Sequence, residues 1–123
     1  MNPLELIKEA RERRKINRIA FLVLESLDLS NNGFEDCNQL RRAVSRALND
    51  AGFRTTKILI TSQPPDRYLG HSVRPNQVEH EAIGVHCGVL DPLYPRTLPL
   101  DKYLKRVYKP EEGVELVVTF QQA

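Results

Sequence analysis

The chain has 123 residues, of which 41% are hydrophobic and 28% are charged, and its formal net charge is +2 at pH 7. This length suits one domain with a single hydrophobic core, and the composition is that of a soluble globular protein, which excludes a disordered or membrane-embedded chain. The small net charge argues neither for nor against a nucleic-acid partner, and no apolar run approaches the about 20 residues that cross a bilayer.

The first segment, NPLELIKEARERRKINRIAFLVLESLDL, predicts a helix that Asn2 caps and that Glu5 strengthens through a capping box. Its apolar residues are sparse at first and dense in IAFLVLESL, so we expect an exposed first half and a break near Ile16 and Asn17. The basic run at 11–15 is interleaved with acidic residues, which favours a solvated helix face over a site for an acidic partner or a phosphate backbone. This charged start is not a signal peptide, so we expect a cytoplasmic protein.

A second helix is predicted by GFEDCNQLRRAVSRALNDAG, with Asp36 as N-cap, Cys37 in the first turn and Gly52 at the end. Four segments have strand character: TTKILIT, VEHEAIGV, VLDPLY and VELVVTF. Between the last two, LPLDKYLKRVY predicts a short helix. The proline-rich segment 62–77 predicts a long loop, which either borders the functional cleft and selects the substrate or is a disordered connection.

Helices followed by an antiparallel sheet with one inserted helix indicate an α+β domain, in which the N-terminal helices pack on the sheet. We divide this single domain into a helical N-terminal extension over residues 1–30 and a core over residues 31–123. The sequence contains no internal repeat and no linker that would separate a second domain.

Cys37 is one of two cysteines and occupies a distinctive position. At the start of a helix, unpaired backbone N–H groups and the positive end of the helix dipole favour the thiolate, and the same N–H groups can hold an oxyanion. In a reducing compartment a catalytic or buried thiol is favoured over a disulfide. The alternative is that Cys37 is a small buried hydrophobe.

Three histidines are available as a base. His80 shares a strand face with small residues, and Asp91, about two residues from directly opposite across the predicted hairpin, lies within side-chain reach. Such a carboxylate would orient the imidazole, with Nδ1–H facing Asp91 and Nε2 facing Cys37. Alternatively, His80 is a partly exposed strand residue and Asp91 belongs to a DP turn. His71 in the loop and His86 at the turn are expected to be exposed.

A metal centre is not expected. The run HEAIGVH is not the H-E-x-x-H zinc pattern. Six strand residues also place His80 and His86 roughly 20 Å apart, too far to share an ion. We therefore expect neither a metal nor another cofactor.

The order of a cysteine at a helix start, then HEAIGVHCGVLDP, then LPLDKYL resembles the papain fold toxin 2 domains of bacterial polymorphic toxins, from about Phe34 to Tyr108. This resemblance implies a papain-like fold with Cys37 as nucleophile, His80 as base and Asp91 as orienting acid. The chain departs from the family in lacking a second cysteine near the nucleophile.

The resemblance has two further implications for the site. Papain-like sites often add a side-chain amide to the oxyanion hole upstream of the cysteine, and Asn31 or Asn32 is similarly placed, although NNG is also a turn sequence. Tyr103 stands where the family has tryptophan, a difference that leaves the three implied catalytic residues untouched.

The implied activity is hydrolysis of an amide bond in a protein of a host or rival cell, by glutamine deamidation or peptide cleavage. The short chain lacks a second lobe to frame an extended peptide, which favours a side-chain amide. The implied setting is delivery into a target cell by a secretion system, with a cognate immunity protein or antitoxin as partner.

Two other functions stay open. In the first, the protein is a non-catalytic interaction module that binds a partner through its basic N-terminal helix, and loss of toxicity on changing Arg13 and Arg14 alone would favour it. In the second, the protein is a nuclease that uses the basic run, but no acidic or histidine pair lies near that run. We therefore do not expect nucleic acid as a partner.

Overall fold

The computed structural model describes residues 2–26 and 37–122. Within these ranges the five strands form one antiparallel sheet in the order β4-β3-β2-β1-β5, which confirms the predicted α+β class. None of the helices in these ranges has both the length and the apolar character to cross a bilayer. The elements are α1 (Pro3–Ser26), α2 (Cys37–Asp50), β1 (Thr56–Gln63), β2 (His80–Val85), β3 (Gly88–Asp91), β4 (Tyr94–Leu98), α3 (Leu100–Val107) and β5 (Glu115–Gln122).

α1 begins as predicted, because the backbone N–H of Glu5 donates to Oδ1 of Asn2 at 2.9 Å. Its first half is exposed, as expected. The predicted break near Ile16 and Asn17 is wrong: no proline or glycine interrupts the helix there, and apolar residues four apart continue one buried stripe through it. That stripe consists of Ile16, Ala20 and Leu24.

α2 also follows its prediction. It runs from Cys37 to Asp50, and Gly52 follows it with a φ of 93°, a left-handed conformation that suits glycine after a helix end. Its apolar residues recur every four positions, and those at Leu40, Val44 and Leu48 are fully buried on one face.

Helices cover both faces of the sheet. α1 and α2 pack on the face that presents Ile83 and Leu90, and α3 packs on the face that presents Ala82 and Val89. Because α1 shares a core cluster with α2, the segment that we divided off as an extension is packed into the same core. That cluster consists of Ile16, Ala20, Val44, Leu48, Ile83 and Leu90.

β4 is an element that the sequence does not predict, since Pro95 lies within it. It is an edge strand, and an edge strand tolerates the missing N–H of a proline. Asn17 of α1 covers part of this edge, because its Oδ1 accepts the backbone N–H of Thr97 at 2.8 Å and the hydroxyl of Thr97 at 2.7 Å.

The loop between β1 and β2 is long, as predicted, but its centre is part of the core. Leu69 and His71 are both fully buried. The backbone carbonyl of Gly70 accepts the N–H of Lys109 at 2.9 Å, which ties the loop to the connection between α3 and β5. The loop is therefore held in place by its middle residues as well as by its ends.

Candidate active site

His80 and Asp91 meet at one end of the sheet. His80 is the first residue of β2 and Asp91 the last of β3. Continuing the register of the two strands sets Asp91 opposite Ala82, two residues from His80 and on the same face, as the sequence predicts. Nε2 of His80 lies 3.0 Å from each carboxylate oxygen of Asp91, and the two residues are 1% and 0% exposed.

The orientation of the His80 ring differs from the prediction. Nε2 faces Asp91, whereas Nδ1 lies 3.1 Å from Oε1 of Gln77. The expectation that Nδ1 faces Asp91 is wrong because Asp91 is a diagonal neighbour, and only the nitrogen farther from the backbone spans that separation. Both ring nitrogens face oxygen atoms, an arrangement that an imidazolium satisfies by donating from both.

Asp91 is a buried carboxylate surrounded by hydrogen-bond donors. Its Oδ1 accepts the backbone N–H of Leu93 at 2.8 Å, and its Oδ2 accepts the hydroxyl of Tyr103 at 2.7 Å and Nε2–H of His71 at 2.7 Å. Burial opposes the charge and raises the pKa of Asp91, but the hydrogen bonds from His71 and His80, together with positive charge on His80, outweigh burial and hold this pKa well below its usual range. Asp91 is therefore ionised in the folded protein.

His71 is the residue that sequence reasoning missed. The expectation that it is exposed is wrong: it is fully buried and forms a β-bridge with Tyr108. Its Nδ1 accepts the backbone N–H groups of Val73 at 3.0 Å and Arg74 at 3.3 Å. The ring proton must then lie on Nε2, where it is donated to Asp91.

His71, His80 and Asp91 also raise the question of a metal, since their ligand atoms lie within 4.8 Å of one another. Coordination through Nε2 of His71 would move its proton to Nδ1, at which two backbone N–H groups already point. These residues therefore suit a hydrogen-bonded network better than a metal centre. His86, which we considered as a ligand from the sequence, is exposed and contacts Glu12 of α1.

Two tyrosines complete the network on the α3 side. The hydroxyl of Tyr103 donates to Asp91, so Tyr108, whose oxygen lies 2.6 Å away, donates to Tyr103. Burial, together with the charge of Asp91, raises the pKa of Tyr103 well above its ordinary value. Tyr103 therefore stays a proton donor to the carboxylate even in alkaline solution. We refer to His71, His80, Asp91, Tyr103 and Tyr108 as the Asp91 network.

Cys37 is the first residue of α2, where the sequence predicts it, and its side chain lies outside the described part of the chain. The two candidate oxyanion donors, Asn31 and Asn32, and the predicted cap Asp36 also lie outside it. The structure thus brings together two of the three implied catalytic side chains.

The start of α2 is anchored to Glu81, the residue that follows His80 in β2. Nδ2 of Asn38 lies 3.1 Å from Oε2 of Glu81, and Nε of Arg41 lies 2.8 Å from Oε1 of the same carboxylate, in a buried ion pair. Glu81 follows His80 in β2 and points to the opposite face of the sheet. The first turn of α2 therefore lies at the end of the sheet where β2 begins.

Comparisons with known protein families, with curated proteins and with solved structures find no match to this chain. The likeness to papain fold toxin domains therefore depends on the motif residues between Phe34 and Tyr108 alone.

Proposed function

We propose that the chain is a cysteine-dependent hydrolase of amide bonds, with Cys37 as nucleophile, His80 as the proton carrier and Asp91 as the orienting acid. The observation that carries this proposal is the buried pair of His80 and Asp91 at the end of the sheet where α2 begins. Burying a carboxylate and an imidazole contributes little to stability by itself, whereas a fixed, charged imidazole is what an activated thiol requires.

The reaction proceeds through an acyl-enzyme. The thiolate of Cys37 attacks the carbonyl carbon, and backbone N–H groups in the first turn of α2 stabilise the oxyanion. Nδ1–H of His80, which faces Gln77 before the reaction, turns from that oxygen and gives its proton to the leaving amine or ammonia as the C–N bond breaks. Water then attacks the thioester, Nδ1 takes a proton from it, and the carboxylic acid leaves with the thiolate restored.

The substrate class follows from the resemblance. Papain fold toxin domains imply a protein target, in which either a glutamine side chain or a peptide bond is hydrolysed. Deamidation leaves the target in one piece with a slightly higher mass, and cleavage gives two fragments. Intact-mass analysis of target proteins after incubation separates these two reactions and also detects cross-linking.

The nucleophile can be tested without a known substrate. On incubation with p-nitrophenyl acetate, we expect a burst of nitrophenolate equal in amount to the protein, and an acetyl group that peptide mapping locates on Cys37. Cys37→Ala and His80→Ala should each lose the burst. His86→Ala changes an exposed histidine and should keep it. A burst of full size in Cys37→Ala, or acetylation divided evenly between Cys37 and Cys87, would overturn the proposal.

A second candidate function, partner binding through the basic N-terminal helix, is favoured by one observation. Arg13 and Arg14 of α1 line a groove together with cations from β4 and α3. This candidate and the hydrolase use different parts of the molecule, since no lining residue of the groove belongs to the Asp91 network.

A further inference from the structure

A positively charged groove of about 450 Å³ lies between the middle of α1, β4 and α3. Five cationic side chains and one carboxylate line it, which gives the groove a formal charge of +4. The whole chain carries +2, so the remainder of the protein carries −2. The groove is therefore more positively charged than the protein as a whole. The lining cations are Arg13, Arg14, Arg96, Lys102 and Arg106.

Most of these cations are not neutralised within the protein. The single lining carboxylate, that of Glu9, is bonded to Arg13 at 3.2 Å. Among residues 2–26 and 37–122, the other four lining cations form no ion pair. Gathering like charges from three separate elements costs folding free energy, and an anionic ligand would offset that cost.

The chemistry of the lining favours a peptide as the anion. Four of the five cations are arginines, whose planar guanidinium groups pair with carboxylates through two parallel hydrogen bonds. Between the cations, Ala10, Leu98 and Pro99 add apolar surface that suits small apolar side chains. No aromatic side chain of the described residues lines the groove, so bases of single-stranded nucleic acid would find nothing to stack on.

The edge of β4 limits how such a peptide can bind. The backbone N–H of Thr97 already donates to Oδ1 of Asn17, so the edge is blocked there for addition of a further strand. Because Oδ1 of Asn17 is occupied by Thr97, its Nδ2 is the atom that can donate to a ligand in the groove. The peptide would then be recognised through its side chains and not by adding a strand to β4.

We propose that this groove binds an acidic segment of a partner protein in which carboxylates alternate with small apolar side chains. The arginines pair with the carboxylates, and the apolar surface of the groove covers the side chains between them. The site is separate from the Asp91 network, so binding does not require that the protein be a hydrolase.

The test measures fluorescence anisotropy of a short labelled peptide of alternating Glu and Ala residues, with a Gln-for-Glu peptide and a single-stranded and a duplex oligonucleotide as comparison ligands. We expect the Glu peptide to bind most tightly and to dissociate as salt is added. Arg96→Glu and Arg106→Glu should each lower its affinity about tenfold. Arg46→Glu, on an exposed position of α2 outside the groove, should change it by less than about twofold.

Three outcomes would overturn the proposal. The Glu peptide does not bind, or it binds equally well to Arg96→Glu and Arg106→Glu. Alternatively, an oligonucleotide binds more tightly than the peptide and the same variants abolish its binding, which would make the groove a nucleic-acid site. All the variants change exposed residues, and circular dichroism checks that each is folded.

Discussion

Nε2 of His71 lies 2.7 Å from Oδ2 of Asp91, so a loop residue donates a buried hydrogen bond to the last residue of β3. His80 approaches the same oxygen from β2 at 3.0 Å. The loop, the hairpin and the proposed catalytic pair are therefore held by a single carboxylate. Any change to Asp91 should affect the stability of the fold as well as the chemistry of the site.

Asp91→Asn should destabilise the protein by about 3 kcal/mol at neutral pH, because it removes one partner of a buried charged cluster. The amide would also turn an NH₂ group towards donors from His71, Tyr103 or Leu93. Urea denaturation followed by circular dichroism measures the difference. Asp101→Asn, at an exposed position in the first turn of α3, serves as the control and should cost much less.

The stability that Asp91 contributes should depend on pH in a defined direction. Its pKa is lowered in the folded state, so the unfolded chain takes up the proton first as acid is added. The contribution is complete above the ordinary carboxyl pKa of about 3.9 and is lost progressively as the pH falls below it. The difference in unfolding free energy between the parent and Asp91→Asn should therefore shrink between pH values of about 5 and 2. A constant difference would show that Asp91 is not the ionised centre of the network.

His71→Ala should lower the unfolding free energy by about 2 to 4 kcal/mol. It removes a donor to Asp91, leaves the N–H groups of Val73 and Arg74 without their acceptor and opens a cavity in the core. His71→Gln carries an amide N–H at similar reach and should recover part of the loss.

His86→Ala is the matched control for this histidine. Because His86 is exposed on the turn between β2 and β3, we expect a change of less than about 1 kcal/mol. Equal losses in His71→Ala and His86→Ala would show that the buried hydrogen bonds of His71 contribute nothing to stability.

The sequence predicts those parts of the site that depend on nearby residues. The His80 and Asp91 pair follows from strand alternation and a short hairpin, because the turn fixes the register and the register fixes which side chains share a face. The position of Cys37 follows from helix capping and the apolar period of α2. Neither inference requires knowledge of how distant segments pack.

The parts that the sequence does not predict depend on distant contacts. His71 lies in a segment without periodicity, and it is buried by contacts with residues distant in sequence, among them Tyr108 and Asp91. Leu69 is a local sign that this proline-rich loop enters the core, but the loop also contains Tyr68 and Val73, which are exposed, so the sequence does not single out Leu69. Pro95 argues against a strand unless that strand is known to lie at an edge, which only the sheet order reveals.

Cys37 should react with iodoacetamide faster than Cys87 at about pH 6, because a thiolate is the reactive form. Burial raises the pKa of the Cys87 thiol, and the positive charge of Arg13 offsets this only in part. Peptide mapping of the alkylated protein over a range of pH gives both rates. Equal rates at about pH 6 would contradict the nucleophile assigned to Cys37.

Gly70→Ala should destabilise the protein by about 2 kcal/mol or more, because two separate costs apply. Gly70 has a φ of 66°, and an added Cβ would lie 2.0 Å from the backbone carbonyl oxygen of Lys109. To relieve that overlap the loop must move away from the connection between α3 and β5, which would draw His71 away from Asp91.

Gly113→Ala separates the two costs, since Gly113 has a φ of 85° with no atom of the described structure within 4 Å of an added Cβ. We expect a loss of about 1 kcal/mol there from backbone strain alone. Thermal unfolding of the two variants measures the difference. In addition, Gly70→Ala should destabilise the protein more when His71 is present than in a His71→Ala background. Additive losses in that double variant would show that the close approach at Gly70 does not position His71.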